Sequence, residues 1–212
     1  KKELNCPIYF VLGNHDFYRG SIARVREDMA ALTFVEPSLN WLPATGVMAL
    51  TETTCILGHD GWADARLGNY KRSPVILTDY HSISELFPLN KIDRRKQLEE
   101  LGDEAAIYVR SHLPEALEQF EKIIFLTHVP PFRKACWHKG KISNNDYLPH
   151  FACKAVGDAL VEAMSVRPDR EMLVLCGHTH SSGVVKILPN LEVRTGSSEY
   201  GVLAVQQILT LN

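Results

Sequence analysis

The chain has 212 residues, of which 45% are hydrophobic and 23% are charged, and its formal net charge is −2. This length suits a single domain with a sizeable core, and the composition is typical of a globular protein. The near-neutral charge excludes the basic surface of nucleic-acid-binding proteins, and no apolar run approaches the roughly 20 residues that span a bilayer.

In the first part of the chain, the apolar spacing predicts alternating strands and helices. Residues 7–12 read as a buried strand, and Ser21 caps a helix that reaches Leu32. Residues 47–50 and 54–57 read as a hairpin. Residues 61–79 follow neither period and read as a long loop, a kind of segment that is often functional in compact domains.

The rest of the chain continues the alternation. Residues 92–120 are predicted to be helical, with Pro114 expected to end or kink the helix. Residues 128–150 read as a loop, and residues 152–166 as a second long helix. Strands are predicted at residues 123–126, 172–176, 184–188, 191–195 and 202–209, with Pro189-Asn190 as a turn.

Five cysteines, an odd number at scattered spacing, do not form a disulfide framework. Cys6, Cys55 and Cys176 lie in apolar runs, and we expect all three to be small core residues. This cysteine usage predicts a cytoplasmic location.

Four short polar strings stand at the ends of predicted strands. They are Gly13-Asn14-His15-Asp16, Gly58-His59-Asp60, Thr127-His128-Val129-Pro130-Pro131 and Gly177-His178-Thr179-His180. Repetition of a strand followed by a polar loop places the loop tips along one edge of a sheet, where open α/β sheets bind ligands. Asn and His at these tips are suitable ligands for Zn, Mn or Fe.

Together these strings resemble the calcineurin-like metallophosphoesterase superfamily. Its pattern runs Asp-x-His, Gly-Asp, Gly-Asn-His-Asp, Gly-His or Thr-His, and Gly-His-x-His. The last three blocks occur here in that order, and the resemblance covers residues 7 to about 209. It implies an α/β fold, a layered sandwich of two mixed β-sheets flanked by helices. We expect one domain over residues 1–212, in which residues 61–120 form a loop and helical insertion at the substrate rim.

The first two blocks of the pattern are absent, because only twelve residues precede Gly13. We therefore expect the N-terminal part of the domain to be missing, so that the chain is the C-terminal portion of a longer protein. On this interpretation the full-length protein is active and residues 1–212 alone are inactive.

The resemblance implies a centre of two divalent metal ions, Mn, Fe or Zn. One ion would bind Asn14, His128 and His178, and the other would bind His180, while carboxylates of the absent blocks would complete both sites. His15 would face the substrate and protonate the leaving oxygen or stabilise the transition state. Asp16 would hold the His15 ring in one tautomer.

Four further residues are candidates for substrate contact. His59 and Asp60 belong either to the rim of the site or to a structural turn with Trp62 packed on the core. Arg19 could contact phosphate or be merely solvated, and His138 lies in the loop that follows the third string.

The resemblance therefore implies a metal-dependent phosphoesterase. It would hydrolyse a phosphate mono- or diester, in a small molecule or a phosphoprotein, by in-line attack of a metal-bridging hydroxide. The alternative is a catalytically inactive interaction scaffold with the same fold. The intact His15-Asp16 pair favours the enzyme, because sequence drift would not spare the site residues selectively.

Overall fold

A computed structural model describes residues 6–202 and 204–211, in which short and long strands alternate with helices. The strands are β1 (Ile8–Phe10), β2 (Leu39–Trp41), β3 (Met48–Ala49), β4 (Thr54–His59), β5 (Lys122–Thr127), β6 (Trp137–His138), β7 (Lys141–Ile142), β8 (Glu171–Cys176), β9 (Gly183–Leu188) and β10 (Leu191–Thr195). The helices are α1 (Ile22–Val35), α2 (Leu42–Thr45), α3 (Asp79–Ser82), α4 (Lys91–Gln119), α5 (Leu148–Phe151) and α6 (Lys154–Ser165).

A six-stranded mixed sheet organises these elements, in the order β3-β4-β5-β8-β10-β9. The four central strands β4, β5, β8 and β10 are parallel, while β3 and β9 pair antiparallel at the two edges. Because β5 and β8 are parallel neighbours, their carboxyl ends meet at one edge of the sheet. The loops that carry His128 and His178 begin there.

Helices α4 and α6 cover one face of this sheet. The apolar residues of α6 recur at helical spacing, and Val156, Leu160 and Met164 are all buried in the main core cluster. Ser21 caps α1, accepting a hydrogen bond from the Arg24 amide, as the sequence predicts.

Helix α4 does not end at Pro114 but continues to Gln119. A proline inside a helix removes one backbone hydrogen bond and costs about 3 kcal/mol. Leu113 and Leu117 flank it and are buried against the sheet and α6, which offsets that cost.

The predicted sandwich of two mixed sheets is present only in part. Besides the six-stranded sheet, the described ranges contain two small sheets, a parallel pair β1-β2 and an antiparallel hairpin β6-β7. The hairpin was not predicted from the sequence. Its two-residue turn, Lys139-Gly140, has positive φ at both positions (51° and 75°), as the tightest hairpins require.

Two further expectations are wrong. Residues 204–209 form no strand, although the sequence predicts one over 202–209, and Leu203 lies outside the described residues. Cys6 is exposed, whereas Cys55 and Cys176 are buried as expected. No described helix is both long enough and apolar enough to cross a membrane.

Candidate metal centre

Three predicted ligands converge at the carboxyl edge of the sheet. Nε2 of His128 lies 2.9 Å from Oδ1 of Asn14 and 3.1 Å from Nδ1 of His178, and the last two atoms are 3.3 Å apart. The residues come from the loops after β1, β5 and β8 and span 164 positions of the chain. The parallel neighbours β5 and β8 bring the two histidines to one sheet edge, and Asn14 reaches them from the separate β1-β2 sheet.

Local backbone geometry fits this convergence. A Cβ atom on Gly13 would stand 2.9 Å from Cε1 of His128, so only glycine lets the chain pass this close to the imidazole ring. His178 and His180 both have positive φ, 65° and 61°. Such backbone costs roughly 1–3 kcal/mol for a residue with a side chain, and it is concentrated at functional sites.

Two acceptor groups determine which atoms face the centre. The backbone oxygen of His150 lies 3.1 Å from Nε2 of His178 and can only accept, so we infer that Nε2 carries the proton and Nδ1 carries a lone pair. Asp79 Oδ1 accepts from Nδ2 of Asn14 at 2.8 Å, which turns Oδ1 of Asn14 towards the histidines. The lone pairs of Asn14 Oδ1 and His178 Nδ1 therefore both face Nε2 of His128.

The spacing and chemistry of these donor atoms fit a metal ion. Ligand atoms 2.0–2.1 Å from one ion at 90–109° are about 2.8–3.4 Å apart, and the three observed distances fall in that range. The set has one amide oxygen and two imidazole nitrogens. The described part of the chain contains no group of three or more His, Cys, Asp or Glu residues that could hold a metal. Asn14, His128 and His178 therefore suit a cation, but all three are neutral ligands.

Burial keeps the two histidines in the form that binds metal. Burial lowers the pKa of both His128 and His178, and the charge of nearby imidazoles lowers that of His128 further. A neutral imidazole has a free lone pair, whereas the protonated ring has none.

His180 lies outside this cluster but lines the same cleft, which has a volume of about 330 Å³. Its ring meets that of Tyr200 edge-on, with 5.0 Å between the centroids. His15 also lines the cleft, where its exposed ring stacks against Tyr200 and lies 4.6 Å from Tyr18.

Asp16 does not take the role expected of it. Its Oδ2 accepts from the Gly13 amide at 2.7 Å and so closes the 3-10 turn Asn14–Phe17. Among the described contacts, none joins Asp16 to the His15 ring. Arg19 is exposed and is not one of the residues that line the cleft.

His59 and Asp60 are not substrate contacts in this structure, because both side chains are buried away from the cleft. Nδ1 of His59 accepts from the Gly61 amide, and Oδ1 of Asp60 accepts from the Leu12 amide and from Nε1 of Trp41. Burial raises the pKa of Asp60 to about 6 and lowers that of His59 to about 3. The burial of both side chains and of Trp62 therefore favours the structural-turn interpretation of this string.

His138 does reach the cleft. Its Nδ1 lies 3.2 Å from the backbone oxygen of Thr179, and its ring stacks against Tyr147 and meets Phe151 edge-on. It therefore borders the loop that carries His178 and His180.

The sequence did not identify Asp79, Tyr18 or His150 as part of this site. Asp79 is the last residue of the loop 61–79, which was expected to be functional. Nothing in the neighbouring sequence distinguishes it from the other carboxylate of that loop. His150 contributes a main-chain oxygen, a group that every residue carries.

Comparison with known proteins identifies the relatives of this chain. The family model described as "calcineurin-like phosphoesterase" matches residues 1–182. A crystal structure of a dimetal phosphatase from Danio rerio is similar at 13% identity, with a TM-score of 0.48. That match covers 89% of this chain and 60% of the other. No curated protein matches the chain.

Proposed function

Because this chain belongs to the calcineurin-like phosphoesterase family, we propose that it carries part of the active site of a metal-dependent phosphoesterase. The observation that supports this most is the convergence of Asn14, His128 and His178 within 3.3 Å of one another. The substrate would be a phosphate mono- or diester, in a small molecule or a phosphoprotein. The sandwich of two sheets belongs to the same proposal, with β1 and β2 as part of the second sheet.

The three converging residues would hold one divalent ion, such as Mn, Fe or Zn, and His180 would contribute to a second. When bound, such ions activate water as a nucleophile and neutralise phosphoryl charge. Three neutral ligands leave the charge of the ion uncompensated. The proposed centre therefore needs carboxylates, which the resemblance assigns to the Asp-x-His and Gly-Asp blocks.

His15 is the proposed general acid. Its ring is exposed at the cleft, where it can reach a leaving oxygen, and it makes no hydrogen bond to the three converging ligands among the described contacts. Transfer of a proton from this ring to the leaving group would facilitate bond cleavage. Tyr18 and Tyr200 flank the ring on two sides and restrict its position.

The substrate rim would combine two segments of chain. Leu77, Thr78 and Asp79 line the cleft, which supports a rim role for the insertion over residues 61–120. His138 and Phe151 line it as well. The cytoplasmic location stays a prediction.

The test is hydrolysis of p-nitrophenyl phosphate and bis(p-nitrophenyl) phosphate by the complete gene product, with Mn²⁺ present. We expect activity that His128→Ala abolishes and that the matched exposed-residue control His81→Ala retains. A folded, metal-loaded protein without activity on mono- or diesters would instead favour the inactive scaffold.

A further inference from the structure

Asp79 is a buried carboxylate next to the proposed metal centre and outside all four polar strings. Its side chain is 3% exposed, and it begins the short helix α3 at the end of the long loop. Its Oδ1 accepts from Nδ2 of Asn14 at 2.8 Å and from the hydroxyl of Tyr18 at 2.7 Å. Sixty-five positions separate it from Asn14, so tertiary packing alone brings them together.

The amide of Asn14 has two orientations of nearly identical shape, and only one places an oxygen at the metal centre. An ionised carboxylate can accept hydrogen bonds but cannot donate them. With Asp79 in place, the amide nitrogen must face the carboxylate, and the oxygen must face His128 and His178. The reverse orientation would set two oxygens against each other and turn NH₂ towards the metal position.

We propose that Asp79 is a positioning residue of the metal centre, which selects the orientation in which Asn14 presents its oxygen to the ion. This inference rests on the proposed function, and it assigns to the long loop a role in metal binding as well as in forming the rim. Groups that orient a metal ligand typically contribute 10–100-fold to metal affinity.

The first part of the test measures Mn²⁺ affinity of the full chain by calorimetry for four proteins: the unaltered chain, Asn14→Ala, Asp79→Ala and the double variant. We expect Asp79→Ala to weaken binding about 10–100-fold. Since Asp79 would act through Asn14, adding Asp79→Ala to Asn14→Ala should cause no further loss. An additional loss of the same size in the Asn14→Ala background would overturn the proposal.

The matched control is Glu85→Ala. Glu85 is also a carboxylate that ties this region to the start of the chain, because its Oε1 accepts from the Ser21 hydroxyl and the Ala23 amide. It does not contact Asn14. We expect its Mn²⁺ affinity to match that of the unaltered chain, and an equal loss in this variant would reduce Asp79 to a general loop anchor.

A second measurement does not depend on metal. The side-chain NH₂ resonances of Asn14, in protein labelled with ¹⁵N-asparagine, should shift in Asp79→Ala and stay close to their original positions in Glu85→Ala. Asp79→Asn retains an acceptor oxygen and should restore part of the metal affinity. Unchanged Asn14 resonances in Asp79→Ala would refute the contact itself.

The outcomes separate this inference from the proposed function. If Asn14→Ala does not change Mn²⁺ affinity, or if the unaltered chain binds no Mn²⁺ at millimolar concentration, the proposed ligand set fails and the positioning role fails with it. If Asn14→Ala weakens binding and Asp79→Ala does not, only the positioning role fails.

Discussion

His178 donates its Nε2 proton to the backbone oxygen of His150, over 3.1 Å, and so faces the metal centre with Nδ1. The ring of His150 is itself held by hydrogen bonds. Its Nε2 lies 3.0 Å from Oγ of Ser73, and its Nδ1 is hydrogen-bonded to the hydroxyl of Tyr80. The residue that accepts from His178 therefore belongs to a buried polar network that extends into the loop 61–79.

His178 and His180 provide a matched pair for testing the ligand assignment. Both have left-handed backbone, yet only His178 joins the cluster with Asn14 and His128. We expect His178→Ala to reduce affinity for the first Mn²⁺ by more than about 100-fold, since a lost ligand costs more than a lost orienting group. His180→Ala should reduce that affinity far less. Calorimetric titration decides the matter, and equal losses would contradict the assignment of the two histidines to different ions.

A second matched pair tests how closely the backbone must approach His128. A Cβ atom at Gly13 would stand 2.9 Å from Cε1 of His128, whereas one at Gly177 would come no closer than 3.9 Å to the same ring. We expect Gly13→Ala to displace the imidazole and weaken Mn²⁺ binding, and Gly177→Ala to change it little. Neither glycine has positive φ, so the comparison isolates steric contact. Similar affinities for the two variants would exclude steric positioning of His128.

The sequence predicted the three-residue cluster because each member follows a recognisable strand. His128 and His178 stand just after the parallel neighbours β5 and β8, which end at one edge of the six-stranded sheet, and Asn14 follows β1 of the separate two-stranded sheet. Asp79 could not be predicted in this way. It follows a segment without periodicity, and its contact with Asn14 depends on how that loop packs.

The burial of His59 and Asp60 could not be predicted for a related reason. His59 is the last residue of strand β4 and Asp60 follows it, much as His128 follows β5, so position in the sequence alone could not separate them from ligands. The difference is that Asp60 turns into the core, where the Leu12 amide and the Trp41 ring nitrogen donate to it. Likewise, residues 204–209 include the apolar residues Val205, Ile208 and Leu209, but apolar content alone does not specify strand pairing, and these residues join none of the described sheets.

His15 should affect turnover without affecting metal content. It lines the cleft but makes none of the contacts that join the three ligands. A general acid typically contributes about 10²–10⁴-fold, so His15→Ala in the complete protein should lower kcat by that factor. Metal analysis of the same preparation should give the unaltered metal content. Loss of metal in parallel with activity would make His15 a ligand.

The chain of 212 residues should bind at most one Mn²⁺ ion, and weakly. Its described part offers one cluster of three neutral donors, and His180 alone cannot supply the three or four ligands that a second ion requires. Equilibrium dialysis with metal analysis gives the stoichiometry. Two tightly bound ions per chain would show that other residues complete the second site.

The carboxyl group of Asp60 should make the stability of the chain depend on pH. Burial raises the pKa of this carboxyl from 3.8 to about 6. Between these values the folded chain holds a proton that the unfolded chain has released, so the free energy of unfolding falls as pH rises from about 4 to about 6. The pKa difference corresponds to a loss of roughly 3 kcal/mol above that range.

Asp60→Asn removes this titration but keeps an oxygen that can accept from Leu12 and Trp41. Arg26, which lies 3.6 Å from Oδ2 of Asp60, retains its ion pair with Glu104. We therefore expect the variant to gain stability relative to the unaltered chain as pH rises from about 4 to about 7. Urea unfolding across this range measures the difference. Asp28→Asn, at an exposed position, is the control. A stability difference for Asp60→Asn that is flat, or that shrinks with rising pH, would mean that burial does not raise the pKa of Asp60.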